Sequence, residues 1–183
     1  MSVLALAGCS KPAQQQPDNQ AATAEAGPQK GVDRSHKGQQ PRDVTFNDPD
    51  GGEISLSNFR GTPVLVNLWA SWCAPCVKEL PTLDRLAQSH DIDGELGVIA
   101  VSQDSGPRAS VVAFLKKLGV KDLGAYQDSK MALSGALGPD AVLPTTILYN
   151  AQGREVWRYV GDLDWTSAEA AKLLAEAQPA AKG

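Results

Sequence analysis

The chain predicts an α/β fold with a mixed central sheet, and three observations carry that prediction. Strand and helix patterns alternate through the middle of the chain, over 64–69, 74–90, 96–102 and 110–118. Val64-Leu65-Val66-Asn67-Leu68-Trp69 is almost continuously apolar, as expected of a central strand covered on both faces. Two more strand patterns, 145–149 and 155–160, flank Asn150-Ala151-Gln152-Gly153, a four-residue hairpin connection, and a helix follows them. The 183 residues, 42% of them hydrophobic, suffice for one core, and no repeat or second domain is visible.

Taken in order, Met1–Gly8 is small and apolar and leads into Leu6-Ala7-Gly8-Cys9, which resembles a bacterial lipobox. The resemblance implies a short lipoprotein signal over 1–8 and a lipid on the Cys9 thiol. Residues 10–42 are rich in Gln, Ala, Pro, Gly and Lys without apolar periodicity, so 9–42 reads as a lipidated cysteine and a disordered tether. Such a tether spans on the order of 30 Å, and His36 within it is expected to be solvated. Asp43–Phe46 and Glu53–Leu56 around Asn47–Gly52 read as a hairpin. From Ala74 to about His90 the apolar positions Val77, Leu80, Leu83 and Leu86 recur at helical spacing. Pro75 sits in the first turn, where a missing N–H costs nothing, and Pro81 is expected to kink the helix.

Leu96–Ser102 is the next buried strand, and Ser110–Leu118 a helix stopped by Gly119. A short strand near 124–126 and a helix over about 129–137 precede the closing hairpin. The last helix is predicted over about Ser167–Gln178, with Thr166 and Glu169 at capping-box spacing. The folded domain is thus 43–178, with a tail over 179–183.

A net charge of −4 offers no basic field for phosphate contacts, which excludes nucleic acid as the expected partner. Three cysteines, Cys9, Cys73 and Cys76, are too few for a disulfide-stapled scaffold. Cys73 and Cys76 lie two residues apart where the apolar strand gives way to a helix. A helix N-terminus stabilises an anion, which favours the thiolate of Cys73 and makes it the candidate nucleophile. Cys76, one turn further and more buried, is the candidate resolving thiol. Structural zinc lacks its ligands, because only His36, His90 and Cys9 remain outside the pair. A copper relay using the pair with a distant His, and a purely structural bridge, stay open on the residues alone. No metal site is expected.

Trp69-Ala70-Ser71-Trp72-Cys73-Ala74-Pro75-Cys76 resembles the active-site signature of thioredoxin-fold proteins, and Pro81 matches the proline of their first helix. Leu143-Pro144-Thr145 is similar to their cis-proline loop. The hairpin before Val64 and the helix-containing insertion around 104–137 make the likeness closest to TlpA/ResA-type membrane-anchored thiol-disulfide oxidoreductases. The resemblance implies a thioredoxin-like fold with an N-terminal β-hairpin and a central helix-containing insertion. It also implies Cys73 and Cys76 as the redox pair, and substrate contacts from Trp72, Pro75, Leu143, Pro144 and Thr145.

Thioredoxins carry a buried Asp six positions before the first cysteine, which moves the resolving thiol's proton; here Asn67 stands there and cannot ionise. Glu79 matches an acidic residue common in the TlpA/ResA branch, and a buried carboxyl with a raised pKa suits that proton transfer.

Ala74-Pro75 between the cysteines resembles the reducing members of the fold. The expected function is therefore disulfide reduction on the periplasmic side of a bacterial membrane, by a lipid-anchored monomer. Its partners would be disulfide-bearing proteins such as apocytochrome c and a membrane electron-relay reductant. No cofactor is expected beyond the Cys73–Cys76 disulfide and the lipid on Cys9. The alternatives are a copper-binding assembly factor, separated by anaerobic Cu(I) titration alongside insulin reduction, and a thiol peroxidase of the peroxiredoxin type. The peroxidase needs a Thr and a Pro ahead of a lone cysteine, and Ser71-Trp72 supplies neither.

Overall fold

A computed structural model describes residues 29–91, 95–138 and 141–177. Within them the chain folds as one mixed sheet of eight strands in the order β1-β8-β7-β4-β5-β6-β2-β3, flanked by four α-helices. The strands are β1 Gly31–Asp33, β2 Thr45–Asn47, β3 Glu53–Ser55, β4 Val64–Trp69, β5 Gly97–Ser102, β6 Tyr126–Gln127, β7 Thr145–Tyr149 and β8 Glu155–Val160. The helices are α1 Ala74–Asp91, α2 Arg108–Leu118, α3 Ala132–Leu137 and α4 Ala168–Leu174.

Strand β4 lies centrally, parallel to β5 and antiparallel to β7, and every one of its residues is buried. Its apolar run is the consequence of being covered twice. Leu65 and Trp69 face the cluster that holds Leu80 and Leu83 of α1, while Val64, Val66 and Leu68 face Phe46, Leu133 and Ile147. Leu65 is 0% exposed, so Leu65→Ala is expected to lower stability by about 2–5 kcal/mol in urea unfolding.

Several boundaries differ from the sequence reading, among them the start of α2 at Arg108 rather than Ser110. The tether expected over 9–42 gives way earlier, because Gly31–Asp33 pairs antiparallel with β8 at the sheet edge. What holds this edge strand is remote in sequence: its ladder to Arg158–Val160, the Lys30–Asp162 pair at 2.7 Å and the Arg34–Glu176 pair. Helix α3 begins at Ala132 rather than near Ser129, because the Asp128 carboxylate caps the Leu133 amide at 2.7 Å and Met131 adopts a left-handed backbone, φ 54°. The last helix is capped by Ser167, whose hydroxyl accepts from the Ala170 amide, and ends at Leu174 rather than Gln178; the Thr166 hydroxyl is engaged by Asp164 instead. The short strand expected near 124–126 falls at Tyr126–Gln127, where it pairs with β5.

Cys9 and the signal pattern before it lie outside the described residues, as does the tail over 179–183. Among the described residues no helix is long and apolar enough to cross a membrane.

Candidate active site

Strand β4 delivers the chain to its carboxyl end at Trp69, and a short turn leads into α1. That turn is held from the neighbouring strand. Asp104, just beyond β5, accepts from the Ser71 amide at 3.0 Å, from the Ser71 hydroxyl at 2.9 Å and from the Ser102 hydroxyl at 2.8 Å. Asp104→Ala removes all three bonds and is expected to lower stability by about 1–3 kcal/mol in urea unfolding.

At the head of α1, Cys73 and Cys76 are joined by a disulfide with their Cα atoms 5.3 Å apart. Cys73 retains 7% exposure and Cys76 none, so an incoming sulfur reaches Cys73 first. The Cys76 amide donates to Cys73 Sγ at 3.4 Å. Such a first-turn N–H, with the helix dipole behind it, is what stabilises a thiolate at that sulfur. Ala74 and Pro75 are exposed beside the pair, and Trp72 is 66% exposed. Trp72 borders a groove of about 290 Å³ whose other walls include Pro107, Val111 and Phe114. Trp69, by contrast, is fully buried and stacked on Phe114 with centroids 5.9 Å apart.

The Leu143–Pro144 peptide is cis. Register pairs Thr145 with Leu68, which brings this loop to the carboxyl end of β4, and Leu143 packs against the cluster that contains both cysteines.

One helical turn past Cys76, on the same face, Glu79 is buried at 2% exposure. Its Oε1 accepts from Asn67 Nδ2 at 2.7 Å. Its Oε2 accepts from the Leu163 amide at 3.1 Å and from the Trp165 indole N–H at 3.2 Å. Burial pushes the Glu79 carboxyl up to about 7, against the opposing pull of those three donors. Asn67 Nδ2 also donates to Thr146 Oγ1 at 2.9 Å, while Asn67 Oδ1 is buried with no partner among the described residues.

The structure thus gathers Trp72, Cys73, Pro75, Cys76 and Glu79 on the start of α1, with Leu143–Thr145 on the adjoining strand end. Reading the sequence missed Asp104, Thr146, Leu163 and Trp165. Asp104 left a signal, a carboxylate just past a strand parallel to β4; Leu163 and Trp165 left none, since they reach Glu79 across more than eighty residues. The described residues contain no group of three or more metal-ligating side chains. His90 stands about 21 Å along α1 from Cys76, too far to share an ion with the pair.

The arrangement suits electron-pair exchange between sulfurs, with a buried acid–base group beside the less exposed thiol. The Redoxin family model matches residues 36–174. Thiol-disulfide oxidoreductase ResA of Halalkalibacterium halodurans is 30% identical over 134 residues, covering 72% of this chain and 74% of the relative. A putative thiol:disulfide interchange protein DsbE from Chlorobium tepidum superposes with a TM-score of 0.65 over 78% of this chain and 98% of that one; at 24% identity this likeness concerns the fold. The pneumococcal exposed lipoprotein thioredoxin Etrx1 from Streptococcus pneumoniae has a TM-score of 0.58 at 26% identity, covering 73% of this chain and 97% of its own.

Proposed function

Since the chain belongs to the Redoxin family and is a thioredoxin-fold thiol-disulfide oxidoreductase of the TlpA/ResA type, we propose that it works as a reductase of protein disulfides outside the cytoplasm. The observation that carries this reading is the Cys73–Cys76 disulfide at the head of α1 with the Glu79 carboxyl buried one turn beyond it.

In the reduced protein the Cys73 thiolate attacks one sulfur of the substrate disulfide and forms a mixed disulfide, and the first substrate thiolate leaves. Cys76 then gives its proton to the Glu79 carboxylate and attacks Cys73 Sγ. That step closes the internal disulfide and frees the second substrate thiolate, which takes up a proton. The first substrate thiolate takes up from water the proton that Cys73 lost in ionising, and Glu79 gives back the Cys76 proton, so the sum is one substrate disulfide reduced to two thiols and one protein dithiol oxidised. A carboxyl group with a pKa near 7 suits this step, since it can both accept and return a proton at neutral pH. The Cys73/Cys76 dithiol supplies the two electrons and ends as the disulfide, so the reaction calls for no cofactor.

Leu143, Pro144 and Thr145 offer the substrate backbone an edge beside the cysteines, and Trp72 and Pro75 form the exposed surface around Cys73. Ala74-Pro75 between the cysteines supports the reducing direction. Electrons return from a membrane electron-relay protein. Leu6-Ala7-Gly8-Cys9 supports a lipid anchor at Cys9 on the periplasmic side of a bacterial membrane, as does the likeness to an exposed lipoprotein thioredoxin. The protein acts there as a monomer.

The substrate class is tested by mixing the fully reduced full-length protein with apocytochrome c whose haem-site cysteines are oxidised. The reading predicts stoichiometric loss of that disulfide with formation of Cys73–Cys76. Survival of the substrate disulfide alongside rapid reduction of insulin would remove apocytochrome c from the substrates and leave a general reductase.

A further inference from the structure

A neutral carboxyl group needs an acceptor for its hydrogen, and the surroundings of Glu79 decide which oxygen can hold it. Oε2 faces a backbone N–H from Leu163 and an indole N–H from Trp165, at 3.1 and 3.2 Å. Neither donor can turn round to accept. The proton therefore belongs on Oε1, whose partner is Asn67 Nδ2 at 2.7 Å, again a donor. Asn67 differs from the other two in one respect. Its amide carries an acceptor on the opposite branch, and half a turn about the terminal torsion exchanges the two.

Two further observations bear on that turn. Asn67 Oδ1 is buried without a partner among the described residues, so no hydrogen bond from it has to break. The second partner of Nδ2 is Thr146 Oγ1 at 2.9 Å, a hydroxyl that donates as readily as it accepts. In the present arrangement Nδ2 donates to Glu79 and to Thr146. After half a turn Oδ1 accepts from the Glu79 hydroxyl and from the Thr146 hydroxyl. Two hydrogen bonds exist either way, in a site with 0% exposure at both Asn67 and Thr146. An Asp at position 67 would set a second carboxyl against Glu79, and an apolar residue would offer neither face.

We propose that Asn67 is a positioning residue for the proton on Glu79: its amide turns over when Glu79 gains or loses that proton, and the Thr146 hydroxyl reverses in step. The inference rests on Glu79 as acceptor of the Cys76 proton. Other groups face Glu79: Cys76 on its own helix, Tyr159 on β8 and Asp162 in the loop after β8, itself paired with Lys30 and Lys78. β4 and β7 contribute the neutral Asn67 and Thr146. The charged neighbours move the midpoint of Glu79 whatever Asn67 does, so the test reads the amide itself.

In reduced, isotope-labelled full-length protein, the two Asn67 side-chain amide protons are followed by NMR from pH 5 to 9 together with the Glu79 carboxyl carbon. Asn67→Ala serves only to assign the signals. A turning amide loses both of its hydrogen bonds when Glu79 is protonated, so both protons move upfield with the midpoint of Glu79. In Glu79→Gln, whose side-chain N–H₂ stands in for the carboxyl O–H, both sit at the low-pH wild-type position at every pH. Movement of only the proton facing Glu79, or of neither, overturns the proposal, because a fixed amide keeps its bond to Thr146. Failure of the underlying reading looks different: Glu79→Gln would leave the rate and pH profile of the resolving step unchanged, however Asn67 behaves.

Discussion

A Cys76→Ser variant is expected to stop halfway, accumulating a covalent complex between Cys73 and its substrate while turnover falls to the uncatalysed background. The expectation follows from the unequal positions of the two sulfurs. Cys73 is the one with residual exposure and a first-turn amide aimed at it, and Cys76 is wholly enclosed behind it. Without Cys76 nothing inside the protein can attack the mixed disulfide, so it persists until an external thiol releases it. Cys73→Ser should lose turnover equally and trap nothing. Non-reducing gels with mass spectrometry of the trapped species distinguish the two variants. Equal trapping by both would mean that the assignment of attacking and resolving thiols is wrong.

The second large effect is expected from Glu79→Gln. General acid–base groups contribute roughly 10²–10⁴-fold to the steps they serve, so the resolving step at pH 7 should slow by about 100-fold while the first attack by Cys73 is unchanged. Rapid-mixing kinetics separates the two. The same substitution carries a stability signature. Burial raises the Glu79 carboxyl from its ordinary 4.5 to about 7, so between those values the folded chain holds a proton that the unfolded chain has released. That contribution is fully present below pH 4.5 and is lost as pH rises through 7, a change of ~3 kcal/mol. Glu79→Gln cannot ionise and should flatten this slope in urea unfolding between pH 4.5 and 8. A variant with wild-type kinetics, thiol titration and slope would remove Glu79 from the reaction.

How much of this was legible in the sequence follows from the range over which each feature is determined. Strand β4 announces itself because burial on both faces demands an unbroken apolar run, and α1 because its apolar positions recur at helical spacing. The cysteine pair sits at their junction, so its placement needed only local information. Glu79 was reached by noticing that Asn67 cannot ionise. What surrounds it was not legible: the Leu163 amide is a backbone group that no side-chain pattern reveals, and the Trp165 indole arrives from a loop beyond β8. Strand β1 was hidden for a similar reason. Gly31-Val32-Asp33 is too short for a period to show, and its ladder partners lie more than 120 residues later. The last helix starts at Ala168, one residue late, because Ser167 caps it while the Thr166 hydroxyl is taken by Asp164.

The proposal of a reductase rests on direction, and direction is a matter of potential. Disulfides of this fold span about −270 to −120 mV, from thioredoxin to the strong oxidant DsbA. The most direct test is the reduction potential of Cys73–Cys76 in the full-length protein, equilibrated against glutathione or dithiothreitol buffers at pH 7. A reductase predicts a value toward the thioredoxin end of that range. A value above about −150 mV would make the dithiol form the stable one, and the protein would then oxidise its substrates instead of reducing them.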